Sequence, residues 1–135
     1  MDGVAAVRVA FVADATLTGL VPADSIHAGP LPLDATLPAI SLASVSSVDW
    51  NIPAPGSTRH VSERVQATLH ARNYPEMKAI KRSARHAAAD KIGLEVPGIL
   101  VVTIHTEAAG PDFMAADASI WMGTQDFITT YTEIR

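Results

Sequence analysis

The five histidines are the residues best suited to bind a metal ion or to move protons at neutral pH. None of them stands in an HExxH, HxH or other closely spaced ligand motif. His105 and Glu107 are two residues apart in a predicted strand, so both side chains could reach one ion, but two ligands do not complete a site. We therefore interpret this pair as part of a solvated strand face. The five are His27, His60, His70, His86 and His105.

Acidic residues bracket a predicted loop late in the chain and could serve as a general acid and base. Glu107, Asp112 and Asp117 form this group, although acids in loops are more often solvated turn formers. No GxSxG, SxxK, phosphate-loop or GxGxxG motif occurs, and the absence of cysteine excludes a thiolate nucleophile. The sequence predicts no catalytic, cofactor or metal site. A small cytosolic enzyme or ligand-binding domain using His105, Glu107 and Asp112 remains the alternative from a different class.

A basic stripe is the most distinctive charge feature. Lys78, Arg82 and Arg85 follow i, i+4, i+7 spacing on a predicted helix, with Lys81 beside them. The stripe is interpreted either as a solvated helix face or as an electrostatic contact with an acidic neighbour. Direct contact with DNA is a third interpretation of the stripe. A net charge of −4 argues against general attraction to nucleic acid.

Hydrophobic periodicity predicts the elements that position these residues. Helices are expected over 4–13, 15–20 and 74–92, and strands over 25–28, 39–50, 59–71, 99–107 and 118–133. In the first helix, Val9 and Val12 lie beside the main apolar stripe, which predicts burial on more than one face. Within residues 39–50, Val48 and Trp50 are expected to share the face of Ile40 and Leu42. Trp121, Phe127 and Tyr131 are expected on one face of the last strand.

The predicted fold class is α/β (α+β), with residues 1–135 as a single domain. We expect a mixed, mostly antiparallel β-sheet of about four to five strands with two main helices packed on one face. The helix after the third strand is long enough for a parallel crossover, and the other links suit antiparallel pairing. Asp2 and Arg8 argue against a signal peptide, and no apolar run approaches the roughly 18 residues of a membrane span.

Strand length adds an argument for assembly. A compact domain of 135 residues has a diameter of about 37 Å, whereas a strand of about 13 residues spans about 43 Å. The long strands would reach or overrun the edge of the body and offer unpaired backbone to a neighbour. An overestimate of strand length is the other interpretation.

Several segments, taken in order, resemble phage tail completion proteins, the tail terminators and tail-to-head joining proteins of long-tailed phages. The resemblance covers residues 4 to 133 and rests on pattern, without one diagnostic motif. The segments are 13–22 (ADATLTGLVP), 28–40 (AGPLP leading to LPAI), 64–74 (RVQATLHA and then Tyr74) and 123–131 (GTQDF and then Tyr131).

The resemblance implies a structural subunit, usually hexameric, that closes the tail tube and joins it to the head-side connector. It implies a virion protein assembled in the bacterial cytoplasm, with the tube protein and a connector or stopper protein as partners and no membrane. A head-side neck subunit or a tail-like injection particle are close alternatives. The family supplies no catalytic residues. Our candidate interface residues are Pro53, Pro55, Arg59, Arg64, Lys78, Lys81, Arg82, Arg85, Asp112 and Phe113.

Overall fold

One β-sheet with a layer of helices on one of its faces makes up the protein. The computed structural model describes residues 2–32, 36–50, 56–114 and 120–134. The elements are α1 (Gly3–Ala13), α2 (Ala15–Leu20), a 3-10 turn (Ala23–Ser25), β1 (Ile26–Ala28), β2 (Ala39–Trp50), β3 (Thr58–Ala71), α3 (Tyr74–Ala88), β4 (Lys91–Val96), β5 (Ile99–Ala109), β6 (Phe113–Met114) and β7 (Trp121–Ile134).

The strands lie in the order β1-β2-β3-β7-β5-β4, and β6 pairs with the first two residues of β7. Strands β3 and β7 are antiparallel and pair along their whole length, from Thr58 opposite Ile134 to Ala71 opposite Trp121. Every described pair is antiparallel except β1 with β2. The mixed, mostly antiparallel α+β class is therefore confirmed.

The expected number of strands was too small, because the sheet has seven in the described chain. The predicted third helix was extended to residue 92, but α3 ends at Ala88 and β4 begins at Lys91. Asp90 and Gly93 both adopt positive φ, 51° and 73°, which an α-helix does not accommodate. The short strand β6 also lies in the segment predicted as a loop.

Two strand relationships differ from expectation. Strand β1 pairs parallel to β2, whereas the short link between them was expected to give antiparallel pairing. Strand β5 runs parallel to β3, as a crossover requires, but β7 lies between them. The chain leaving α3 first forms the edge strand β4 and only then turns back into β5.

Helix α1 is buried on one face, so the prediction of burial on several faces is wrong. Val9 and Val12 are each 37% exposed, because they lie on the side of the helix that faces away from the buried residues. Its inner face holds Gly3, Ala6, Val7, Ala10 and Phe11. The three helices contact one another and so form one layer, and no helix in the described chain is long and apolar enough to span a bilayer.

Polar caps fix where the helices begin. The Asp14 carboxylate accepts the Leu17 N–H at 2.9 Å and starts α2, and the Asn73 side chain accepts the Glu76 N–H at 2.9 Å and starts α3. Pro75 stands in the first turn of α3, where its missing N–H costs nothing. The basic residues of α3 are thereby held at a fixed distance from the end of β3.

The predicted faces of β2 are wrong beyond a β-bulge at Ser44–Ser46. Ile40 and Leu42 pair with β3 residues on the helix side, whereas Val48 pairs with Ser62 and Trp50 with His60 on the other side. The extra residue of a bulge reverses the alternation of the strand beyond it. Trp121, Phe127 and Tyr131 do share one face, as expected, because all three lie opposite helix-side residues of β3.

Candidate assembly surfaces

The sheet face turned away from the helices is called the open face here. No described helix covers it, and the registers place on it the polar residues of β3, which are His60, Ser62, Arg64, Gln66, Thr68 and His70. Serines and threonines of the neighbouring strands flank them. A sheet face rich in short polar side chains can meet solvent or a polar partner surface.

Arg64 and Asp126 form an ion pair near the middle of the open face. The Arg64 Nε–H donates to Asp126 Oδ2 at 2.9 Å, and Asp126 is only 6% exposed. The hydrogen bond to Asp126 raises the pKa of Arg64 above its ordinary value. Arg64, one of the candidate interface residues, is therefore already engaged within the subunit and can offer a partner only its remaining N–H groups.

The basic residues of α3 lie on the helix side of the sheet. Asp112 accepts hydrogen bonds from Tyr74 at 3.0 Å and from Lys78 and Lys81 at 3.2 Å each. Burial acts to raise the pKa of Asp112, but these three donors outweigh it and lower the pKa below its usual value. Asp112 is thus a structural tie between the 110–112 segment and α3.

A basic cleft of about 500 Å³ opens between α3 and β5. Arg82 and Arg85 are exposed there, and neither has an acidic partner among the described residues. The same helix binds the Asp112 carboxylate through Lys78 and Lys81. A carboxylate or phosphate from another molecule would meet similar chemistry at the arginines. The lining residues are Lys78, Lys81, Arg82, Arg85, His86, Ala89, Thr106 and Ala109.

The residues proposed for enzyme chemistry do not converge. His105 lies on the open face, in the row of Arg64 and Ile128, while Asp112 contacts α3 on the other side of the sheet. Asp117 lies outside the described residues. Within the described ranges no three His, Asp or Glu side chains are grouped to hold a metal ion.

His105 has a different acidic neighbour from any expected. Its Nδ1 lies 3.0 Å from Asp90 Oδ1, and both side chains are well exposed. The i, i+4 spacing of His86 and Asp90 suits an ion pair on a helix surface, but α3 ends at Ala88. The positive φ of Asp90 turns the chain toward β4 and β5 instead.

The ten candidate interface residues fall into separate groups. Arg64 and Phe113 lie on the open face, and Lys78, Lys81, Arg82, Arg85 and Asp112 lie on the helix side. Arg59 is half-buried opposite Glu133 on the helix side of the sheet. Pro53 and Pro55 lie outside the described residues. The candidates are thus distributed over two faces of the subunit.

Sequence patterns missed two apolar groups at opposite edges of the sheet. Trp50 in β2, 58% exposed, and Leu100 in β5, 50% exposed, belong to one row across the open face. Val48 and Ile92 end the neighbouring row in the same way, with polar residues between them. Hydrophobic periodicity could not predict this arrangement, because it depends on the bulge in β2 and on the unpredicted strand β4.

The protein is similar to a known protein in its structure and not in its sequence. No protein-family model and no curated protein matches the sequence. A solved structure described as the virion of a native gene transfer agent (GTA) particle contains a similar chain. The two chains share 15% identity with a TM-score of 0.70, and the match covers 98% of this chain and 99% of that one. The two chains therefore share one fold from end to end.

Proposed function

We propose that this chain is a structural protein of a phage-like virion, and specifically the ring-forming tail terminator that caps the tail tube and joins it to the head-side neck. The observation that carries the proposal is the end-to-end likeness to a chain of a GTA virion. Nearly complete coverage of both chains means that the whole fold is shared. The order of segments that resembles tail completion proteins supports the same assignment.

Two kinds of surface suit a subunit that repeats head to tail. The contacts in a closed ring are heterologous, so two different surfaces of each copy must match. The two opposite apolar edges of the open face provide such a pair, and the basic cleft on α3 is left for a different partner. In a chain of net charge −4, a basic cleft can attract an acidic neighbour.

The proposed partners follow from this role. They are further copies of the chain in a hexameric ring, the tail tube protein below the ring, and the connector or stopper protein above it. DNA would pass through the lumen without sequence-specific binding. The protein would assemble in the cytoplasm of the host bacterium and remain in the tail or neck of the virion.

A head-side connector or neck subunit is the second candidate, because the same fold and surfaces would serve in that ring. Deleting the gene from a producing strain and imaging the particles separates the two roles. Loss of a terminator leaves tubes of uncontrolled length, whereas loss of a connector leaves tails of normal length beside unjoined heads. Particles of normal form and infectivity would refute both assignments.

A further inference from the structure

The β4–β5 hairpin carries an open cleft of about 570 Å³ at its end. Leu94, Val96, Leu100 and Val101 supply most of its apolar wall. The tight turn between the strands uses Pro97 and Gly98, and Gly98 adopts φ 88°. A cleft of this size is within the range that accepts one large aromatic side chain.

Val101 in this cleft has a strained backbone. It is 72% exposed and held at φ 52°, inside the bulge between Leu100 and Thr103. A β-branched residue at positive φ is a conformational outlier, and such strain concentrates at functional sites. The chain thus keeps an apolar side chain in solvent at a position where glycine would relieve the strain.

Trp50 provides a matching protrusion at the opposite edge. Strand β1 ends opposite Leu42, so β2 has no outer neighbour among the described strands along residues 43–50. The bulge turns Trp50 and Val48 onto the open face, where both are 58% exposed. Tryptophan is one of the residues enriched among the buried anchors of protein interfaces.

Trp50 cannot fill the cleft of its own subunit. The row that joins Trp50 to Leu100 passes through His60 and Thr132, and three inter-strand steps separate the two by about 14 Å. Each copy therefore has one unfilled cleft and one unburied indole, at the same end of the same sheet. A second copy of this chain satisfies both, and repetition of that contact produces a ring or a filament.

We propose that Trp50 of one subunit inserts into the β4–β5 cleft of the next and that this contact closes the ring. The inference rests on the proposed function, because it identifies the surfaces by which the ring forms. Val48 packs beside Ile92 of the neighbour at the rim of the contact. Side chains make the contact, since bulges at Ile92–Leu94 and Leu94–Val96 interrupt the ladder that β4 could extend to another strand.

Fluorescence of Trp50 tests the contact directly. The chain has two tryptophans, so the Trp121→Phe variant leaves Trp50 as the single emitter. We expect its emission to shift to shorter wavelength when subunits assemble, alone or on purified tail tubes. Trp50→Ala should abolish assembly and leave the circular dichroism of the monomer unchanged. Val12→Ala, a change at a 37% exposed site on the helix layer, is the matched control and should assemble normally.

Cysteine cross-linking can identify the two surfaces in contact. The chain has no native cysteine, so only introduced cysteines will react. A Val48→Cys/Val101→Cys double variant, treated with a short bis-maleimide, should give a ladder that ends at the ring size. Val48→Cys with Val12→Cys on the helix layer should give none. Rings that form while Trp50 emission stays unchanged and the 48/101 ladder is absent would overturn this contact and leave the tail function standing. If no ring forms in solution or on tail tubes, both proposals fail.

Discussion

The ring of Phe11 in α1 stands edge-on to the ring of Phe127 in β7, with centroids 5.8 Å apart and planes at 75°. Both side chains are fully buried. Edge-to-face packing of this kind adds to the stabilisation that comes from apolar burial. The contact joins the first helix of the chain to a central strand of the sheet, so it holds the helix layer to the face it covers.

Truncation of this contact should be costly. We expect Phe127→Ala to lower the free energy of unfolding by about 3–5 kcal/mol, because the cavity left in a packed core cannot fully collapse. Urea denaturation measures the loss. Val9→Ala, at a partly exposed position of α1, should change stability by less than about 1 kcal/mol. Equal effects at the two positions would contradict the one-sided burial of α1.

Asp112 should make stability depend on pH in the acidic range. Its pKa is lowered in the folded state, so its contribution is complete above the ordinary value of 3.8 and is lost as the pH falls through the folded value. Asp112→Asn should reduce stability at pH 7, and the difference from wild type should shrink as the pH is lowered below 3.8, measured by denaturation at a series of pH values. A difference that stays constant as the pH falls would show that the tie to Lys78 and Lys81 is not ionic.

His70 should have an effect at higher pH. Burial lowers its pKa below the ordinary 6.5, and its Nε2 lies 3.2 Å from Ser41 Oγ. The unfolded chain therefore takes up a proton before the folded chain does, and stability is lost as the pH falls below about 6.5. His70→Gln should flatten the dependence of stability between pH 7 and 5. His60→Gln, at an exposed position of the same strand, is the control and should leave the slope unchanged.

Val101→Gly should separate folding from assembly. Glycine relieves the positive φ of Val101, so we expect the monomer to become more stable by up to about 1 kcal/mol after the entropic cost of glycine. Loss of the apolar side chain should weaken ring formation, measured by native mass at a series of concentrations. Rings of unchanged stability would mean that Val101 takes no part in the contact.

Local chemistry made much of the fold predictable. The alternation of Val61, Val65, Ala67 and Leu69 with polar residues fixes β3 within one residue of its start. Pro75 and the capping Asn73 explain why the start of α3 is correctly predicted. These signals are contained in a few neighbouring residues, so no knowledge of the rest of the chain is needed to interpret them.

The errors arise where distant residues decide. The face of Trp50 depends on the bulge at Ser44–Ser46, beyond which β2 pairs with β3 in the opposite alternation. The start of strand β4 was missed because Lys91 and Ile92 continue the helical pattern of α3, although the positive φ of Asp90 ends the helix before them. The four basic residues do lie together on α3, as the sequence predicts. The sequence could not show that Lys78 and Lys81 bind Asp112 while Arg82 and Arg85 remain exposed in the basic cleft, because this depends on the path of the 110–112 segment.

The bulge at Ser44–Ser46 also divides β2 into a buried stretch and an exposed stretch. Substitutions in Ala39–Leu42 change the buried interior, so any variant there is first filtered by whether the chain folds. Substitutions from Ala43 to Trp50 do not change that interior, because all of these residues are exposed. Such substitutions are constrained only by the partner surface that this stretch contacts. A deep mutational scan should therefore show a sharp boundary inside a single strand, with tolerance in an expression screen and intolerance in an infectivity screen on its distal side.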